Sequence, residues 1–222
     1  SANHLMMVFL AVEMASVPSY ALAGHLKFRR QSSEAALKYS IYGAGAAGVM
    51  LYGISLVAGV LNTAHLPTIA LKLMETLPSM SNEQTMVLAL GGLMIMVGLA
   101  FKLSAVPFHF WCPDVFEGAS AEVNAFLSVA SKAAALALLV RVAVGFSVPP
   151  VIEQPTEVAA VASANQTVLV ADEADLEPVA SDEADPLIPV RHFIGLMVGV
   201  IAAVTCSFGN LAAYAQTNIK RL

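Results

Sequence analysis

Five long apolar stretches limit what this chain can fold into. A helix needs about 20 mostly apolar residues to cross the roughly 30 Å hydrocarbon core of a bilayer. The stretches that reach this length are residues 5–24, 33–61, 85–111, 120–146 and 193–215. Lipid offers exposed backbone no hydrogen-bond partner, so such stretches must be helical. The sequence therefore predicts an all-α, polytopic transmembrane helix bundle of about five spans, in which residues 66–80 form an interfacial connection with one short helix.

Composition excludes an ordinary soluble domain. Of the 222 residues 58% are hydrophobic and 12% are charged, whereas soluble domains are about 45–50% apolar and about 25% charged. Cys112 and Cys206 lie too far apart for metal-ligand spacing. No phosphate-binding loop, haem site or basic nucleic-acid surface can be recognised. We therefore expect no metal, no bound cofactor and no nucleic acid, and a lipid bilayer as the surroundings.

The acidic residues are concentrated in one segment. Nine of the sixteen Asp and Glu residues lie between Glu153 and Asp185, and residues 148–190 contain no Lys or Arg. Such a composition is typical of a solvated loop. It predicts an acidic extramembrane loop at 148–190, which separates four transmembrane helices in 1–147 from a fifth in 191–222.

The basic residues between the stretches predict the orientation. Short loops rich in Lys and Arg stay on the cytoplasmic side of a membrane. The loop with Lys27, Arg29 and Arg30 is therefore placed inside. Counting five spans from there puts the acidic loop on the opposite side and returns Lys220 and Arg221 to the cytoplasm. The expected location is the inner (plasma) membrane of a cell, with several passes.

Four charged residues lie within the apolar stretches. Glu13, Lys102 and Lys132 are well inside their spans, and Lys38 is near the start of its span. A charge at mid-bilayer costs several kcal/mol on insertion scales, about 2.5–3.5 for Lys, so it usually faces a bundle interior or a hydrated cavity. Other interpretations remain open: Lys38 can extend to the headgroups, Glu13 can form a structural ion pair, and Lys132 can have a purely structural role.

Lys102 is followed closely by a proline. The ring of Pro107 clashes with the carbonyl of Leu103 in a continuous helix. A broken helix beside a buried lysine exposes polar backbone, which is tolerated where it lines a hydrated cavity. Burial and a nearby carboxylate act in opposite directions on the charge of a lysine. A Glu–Lys pair and a further Lys joined by water can therefore pass protons, as a proton pump or antiporter requires.

Several segments resemble one known family. The run from Phe101 to Ala119 resembles the seventh-helix signature of subunit N of respiratory NADH–quinone oxidoreductase, complex I. Further segments resemble its fifth, sixth, eighth and ninth helices, in that order: residues 13–24, 34–39, 125–132 and 209–222. The resemblance covers the fifth to the ninth helix only, so the chain is expected to be part of a longer protein.

The resemblance implies a role for each charged residue. Glu13 would be the fifth-helix glutamate that tunes the pKa of Lys102 on the broken helix. Lys38 would pair with Glu13 or modulate it. Lys132 would be the central lysine that passes protons along the membrane plane. His109 would help to hydrate or connect the path, although a histidine hydrogen-bonded at a helix break is an equal alternative.

The resemblance also implies partners and an energy source. The chain would be an enzyme subunit without a redox centre, beside other membrane subunits of complex I. NADH, FMN, iron–sulfur clusters and quinone would belong to other subunits. Related Mrp-type cation/proton antiporters are the alternative, although Phe108 and the Asp114-Val115 pair favour subunit N. In a third interpretation the chain is a structural fragment whose buried charges only fix helix packing.

Overall fold

The computed structural model describes residues 3–26, 28–150, 185–214 and 216. Within these residues the α-helices are α1 (Leu5–Ala23), α2 (Arg30–Leu61), α3 (Leu66–Thr76), α4 (Asn82–Leu103), α5 (Trp111–Gly118), α6 (Ala121–Ser147) and α7 (Ile188–Tyr214). Five of these helices, α1, α2, α4, α6 and α7, are long and apolar enough to cross a membrane. The predicted all-α bundle of five spans is therefore confirmed.

The link between the second and third spans has the predicted short helix. Pro67 lies in the first turn of α3, where a missing N–H costs nothing. One face of α3 is buried through Leu66, Ile69, Ala70 and Leu73. A 3₁₀ turn, Leu77–Ser79, follows, and Ser81 then begins α4 with a capping box in which Gln84 takes part. This segment contains the short helix expected from the sequence.

The predicted bounds of two spans need correction. The third span ends at Leu103 rather than near Trp111, and residues 111–118, expected to be a link, form helix α5. The fifth span begins at Ile188, so the predicted acidic loop ends too late by a few residues. Pro189 does not prevent this start, because proline is tolerated in the first turn of a helix. Most of the acidic loop, residues 151–184, lies outside the described residues.

The helices alternate in direction, so the bundle has two distinct ends. At one end the Ser32 hydroxyl donates to the Ala23 carbonyl at 2.9 Å, which joins α1 to the start of α2. At the other end the Leu5 N–H donates to the Ala64 carbonyl at 2.8 Å, beside α3. Helix α5 contacts the start of α2, so it lies at the end where Ser32 bonds to Ala23. We call this the break end, because the chain between α4 and α5 is not helical there, and we call the opposite end the α3 end.

Helices α2 and α4 approach each other through glycines. A Cβ added at Gly53 would lie 2.7 Å from the Gly91 carbonyl oxygen and 2.7 Å from Met94 Cβ. A Cβ added at Gly98 would lie 2.6 Å from Met50 Cβ. Small residues allow this close approach, which increases van der Waals contact between helices in lipid. This contact fixes α4, and with it Lys102, against α2.

We expect Gly53→Ala to destabilise the protein in detergent by about 1–3 kcal/mol, the usual cost of overpacking a close contact. Gly45→Ala is the matched control in the same helix, because a Cβ at Gly45 meets nothing within 4 Å. The free energy of unfolding of each variant in mixed micelles measures the difference. Equal stability of the two variants would contradict the close α2–α4 contact.

Candidate functional site at the helix break

Helix α4 ends in a left-handed turn one residue after Leu103. Ser104 has φ 56° and ψ 36°. Its N–H donates to the Phe101 carbonyl at 3.0 Å, and the Ala105 N–H donates to the Ala100 carbonyl at 2.8 Å. These two bonds form a Schellman motif, which satisfies the last carbonyls of a helix. The chain then passes a cis Val106–Pro107 peptide and re-enters helix at Trp111.

Neighbouring side chains satisfy the backbone that this break exposes. The Val106 N–H donates to Thr205 Oγ1 of α7 at 3.0 Å. The Trp111 indole N–H donates back to the Phe101 carbonyl at 3.1 Å and so ties α5 to the end of α4. Non-helical backbone within a membrane protein needs such partners, because lipid supplies none.

The Lys102 ammonium lies in the last turn of α4 and points towards α1. It donates a hydrogen bond to the Ser16 hydroxyl, which itself donates to the Val12 carbonyl. Three aromatic rings surround it, with centroids 5.6 Å (Tyr20), 5.9 Å (Phe101) and 6.0 Å (Tyr39) from Nζ. Aromatic faces attract a cation at such distances. Lys102 is therefore held by a hydroxyl and a cage of rings.

Glu13 lies on the same face of α1, three residues before Ser16, and is half-buried. Within the described part of the chain no ion pair joins Glu13 to Lys102. The sequence-predicted pair is thus brought to one site, with Ser16 rather than Glu13 as the direct partner of Lys102.

Lys38 is paired with two other carboxylates. Its ammonium lies 2.7 Å from Asp114 Oδ2 of α5 and 2.9 Å from Glu34 Oε1 of its own helix. Both Lys38 and Asp114 are about one third exposed, at 35% and 34% of the side chain. The three residues line a polar pocket of about 180 Å³, which Glu117 also borders. The pairing of Lys38 seen here is with α5 and not with Glu13.

Lys132 lies on the opposite side of α5 from Lys38, and His109 lies in the break next to α7. Lys132 Nζ in α6 is 5.7 Å from the centroid of the Phe116 ring in α5. The His109 ring contacts Phe208 of α7 edge-on, with centroids 5.7 Å apart. The buried Nδ1 of His109 has no hydrogen-bond partner among the described residues. Helix α5 therefore lies between the side chains of Lys38 and Lys132.

Sequence reasoning missed several residues of this site. Ser16 was detectable in principle, because it follows Glu13 by three residues and shares its helix face. Asp114 was part of the recognised signature, but it was not singled out as a partner for Lys38. Tyr20, Tyr39 and Thr205 gave no sequence signal, since aromatic residues and threonines are common in apolar helices. These residues belong to the site only because α1, α2 and α7 pack around the break.

Nothing in the described part of the chain suggests a metal centre. Its residues include no cluster of three or more His, Cys, Asp or Glu side chains placed to hold a metal ion. The chemistry that the arrangement offers is the gain and loss of protons by lysine and carboxylate groups.

Comparison with known proteins identifies the family. Residues 2–172 match the family described as the transmembrane region of NADH:quinone oxidoreductase and Mrp antiporters. This match covers more than half of the 222 residues. The chain belongs to this family.

Curated relatives within the family carry the name expected from the motifs. Subunit N of NADH-quinone oxidoreductase from Anaeromyxobacter sp. (strain Fw109-5) is 37% identical over 233 residues, which cover 100% of this chain and 38% of the relative. Subunit N from Chlorobium chlorochromatii (strain CaD3) is 45% identical over 141 residues, covering 64% of this chain and 26% of the relative. The resemblance to subunit N is confirmed, and the chain spans less than two fifths of these relatives.

Solved structures show the same fold. A chain of respiratory complex I from Thermus thermophilus superposes with a TM-score of 0.66 at 32% identity, covering 100% of this chain and 37% of that one. An archaeal membrane-bound sulfane sulfur reductase superposes with a TM-score of 0.51 at 22% identity, covering 64% of this chain and 28% of that one. The second likeness is one of fold alone. The same bundle fold therefore occurs in two respiratory membrane complexes.

We expect Thr205→Val to lower stability by about 1–3 kcal/mol, because it leaves the Val106 N–H without its acceptor at nearly constant side-chain volume. Ser207→Ala, at an exposed position of the same helix, is the control and should be nearly neutral. Thermal unfolding of the detergent-solubilised variants measures both. An unchanged midpoint for Thr205→Val would show that α7 does not support the break.

Proposed function

We propose that this chain is part of a proton-translocating membrane subunit of NADH–quinone oxidoreductase and that its buried Glu and Lys residues carry the protons. The observation that supports this most is the position of Lys102. It lies in the last turn of a broken transmembrane helix, and its ammonium bonds to Ser16, three residues after Glu13 in α1. A charge is held there at considerable cost in lipid, which is typical of residues on an ion path.

The proposed step at Lys102 is a change of charge controlled by Glu13. A buried ammonium is stabilised by a nearby carboxylate and destabilised by low dielectric surroundings. A change in the distance between Glu13 and Lys102 therefore changes which form of the lysine is stable. The lysine takes up a proton when the carboxylate is close and releases it when the carboxylate moves away. Ser16 keeps the amine oriented in both forms.

The remaining residues extend this site along the membrane plane. Lys38 interacts with Glu34 and Asp114 at the break end, where the polar pocket is open to solvent. Lys132 receives the proton on the other side of α5, and water reaches it along the break. The Nδ1 of His109, which has no hydrogen-bond partner within the described part of the chain, can bond to that water.

The energy would come from redox chemistry in other subunits. This chain would have no redox centre of its own, while NADH, FMN, iron–sulfur clusters and quinone are held elsewhere in the complex. Conformational or electrostatic coupling would carry the energy to it through neighbouring membrane subunits. The chain would lie in the inner membrane of a cell, surrounded by lipid, with the break end and its basic loop at the cytoplasmic face and the acidic loop on the opposite side.

A cation/proton antiporter of the Mrp type is the less favoured alternative. The family description names both kinds of protein. The curated relatives named above are both oxidoreductase subunits. Sodium transport without NADH oxidation would favour the antiporter instead.

In the assembled complex, reconstituted in vesicles, Lys102→Ala and Lys132→Ala should each reduce proton pumping and coupled NADH–quinone turnover together. The expected loss is about tenfold or more, because a positioned proton-transfer group typically contributes roughly 10²–10⁴-fold to its step. Lys72→Ala is the control, since Lys72 lies on the surface of α3 in an ion pair with Glu75.

The comparison also tests the structural interpretation of the lysines. Loss of assembly in Lys132→Ala, with normal pumping by whatever complex does assemble, would mean that the lysine only supports packing. Normal assembly and normal pumping in both variants would refute the proposed mechanism.

Ser16→Ala should reduce coupled proton pumping by about tenfold, since a hydrogen bond to a charged group contributes about 1.5–3 kcal/mol. Ser19→Ala is a matched control in the same helix. Both serines are buried and both donate to the carbonyl four residues earlier, but only Ser16 also accepts from Lys102. Equal pumping rates for the two variants would exclude a role for Ser16.

A further inference from the structure

Helices α2 and α5 meet through three contacts. The first is the Lys38–Asp114 ion pair at 2.7 Å. The second is the stack of Tyr39 on Trp111, with ring centroids 4.4 Å apart and an interplanar angle of 9°. In the third, Gly118 lies so close to α2 that an added Cβ would be 2.5 Å from the Gln31 carbonyl oxygen.

The stack is next to the Lys38–Asp114 ion pair along both helices, and Tyr39 is also close to Lys102. The pocket contains Lys38 and Asp114, both partly exposed, so water reaches it. Tyr39 follows Lys38 directly in the chain, and its ring centroid is 6.0 Å from Lys102 Nζ. Tyr39 is 1% exposed and Trp111 is 3% exposed. Two close-packed rings of this kind leave no room for a water chain.

The ion pair and the stack depend on the same two helices in register. Lys38 and Tyr39 are consecutive in α2, while Trp111 and Asp114 are one turn apart in α5. A helix of eight residues with non-helical segments at both ends, 104–110 and 119–120, can tilt as a unit. A tilt that lengthens the Lys38–Asp114 distance therefore also separates the rings.

We infer that the Tyr39–Trp111 stack is a gate between the polar pocket and Lys102, and that the Lys38–Asp114 ion pair keeps this gate closed. Asp114 is then a positioning residue, because it acts through α5 and not on the proton itself. The role of the gate in admitting water for proton transfer at Lys102 rests on the proposed function. The existence of the gate does not rest on it.

The strength of the ion pair suits a gate. Partly exposed ion pairs contribute little to stability, so the closed state is favoured only modestly by this contact. Separating the rings also breaks the bond from the Trp111 indole to the Phe101 carbonyl, so the open state is a minor one. Loss of the pair is therefore expected to raise the open population severalfold rather than to unfold the helix.

Cys112 provides a native reporter of this motion. It follows Trp111 in α5 and is half-buried. A thiol reacts with an alkylating reagent as the thiolate and needs access to water. The alkylation rate of Cys112 by iodoacetamide, followed by peptide mass spectrometry on the complex in vesicles without NADH, therefore measures how often α5 moves and exposes this thiol.

Two variants with opposite changes of charge separate the gate from simple electrostatics. Asp114→Asn removes a negative charge near Cys112, and Lys38→Met removes a positive one. Electrostatics alone would change the reactivity of the thiol in opposite directions, because a nearby cation favours the thiolate and a nearby anion disfavours it. The gate predicts faster alkylation in both variants, by about fivefold.

Glu34→Gln is the matched control for the loss of a carboxylate. It removes the other partner of Lys38 but leaves the bond between α2 and α5. We expect it to react at the wild-type rate. Opposite changes in the two variants, or no change in either, would overturn the gate, and if Asp114→Asn does not assemble, Lys38→Met decides alone.

The outcome is independent of the proposed function. Faster alkylation in both variants supports the gate even if Lys102→Ala pumps normally, and in that case the proton path through Lys102 is wrong. Unchanged alkylation with loss of pumping in Lys102→Ala leaves the proton path in place and refutes the gate.

Discussion

A transmembrane segment that stops being helical must find new partners for its backbone, and the site depends on this constraint. Between Leu103 and Trp111 the chain leaves the α-helix, and lipid cannot hydrogen-bond the exposed groups. The Schellman motif at Ser104, the Thr205 hydroxyl and the Trp111 indole provide bonds in its place. Each bond comes from a different element, so the break also fixes the positions of α4, α5 and α7 around Lys102.

Helix α5 connects the charged residues of the bundle. Asp114 pairs with Lys38, Phe116 lies beneath the Lys132 ammonium, and Trp111 binds the end of α4. A short helix with three such contacts can transmit a change at one lysine to the others. The ion pair is partly exposed and the Trp111 ring is buried, so the ion pair is the easier contact to break. This difference is the physical basis of the gate proposed at Tyr39.

The close approach of α2 and α4 makes the cage around Lys102 possible. Gly53, Gly91 and Gly98 bring the two helices together, which places Tyr39 of α2 beside Phe101 and the lysine of α4. Helix α1 completes the cage with Tyr20 and Ser16. A buried ammonium without this surrounding would be costly in lipid. The fold therefore gives Lys102 both a hydroxyl acceptor and polarisable rings.

The sequence alone determined the number of spans, the presence of a break and the family, because length, hydropathy and the position of Pro107 are local properties. It also located Glu13, Lys38, Lys102 and Lys132, since a charge in an apolar stretch is visible without coordinates. Only the tertiary structure decided their partners: Lys102 bonds to Ser16, and Lys38 pairs with Asp114, 76 positions away in the chain. Such contacts depend on how each helix is rotated about its axis and how deep it lies in the bundle. Glycine contacts and ring packing between helices set both, so the residue pattern of a single helix does not predict them.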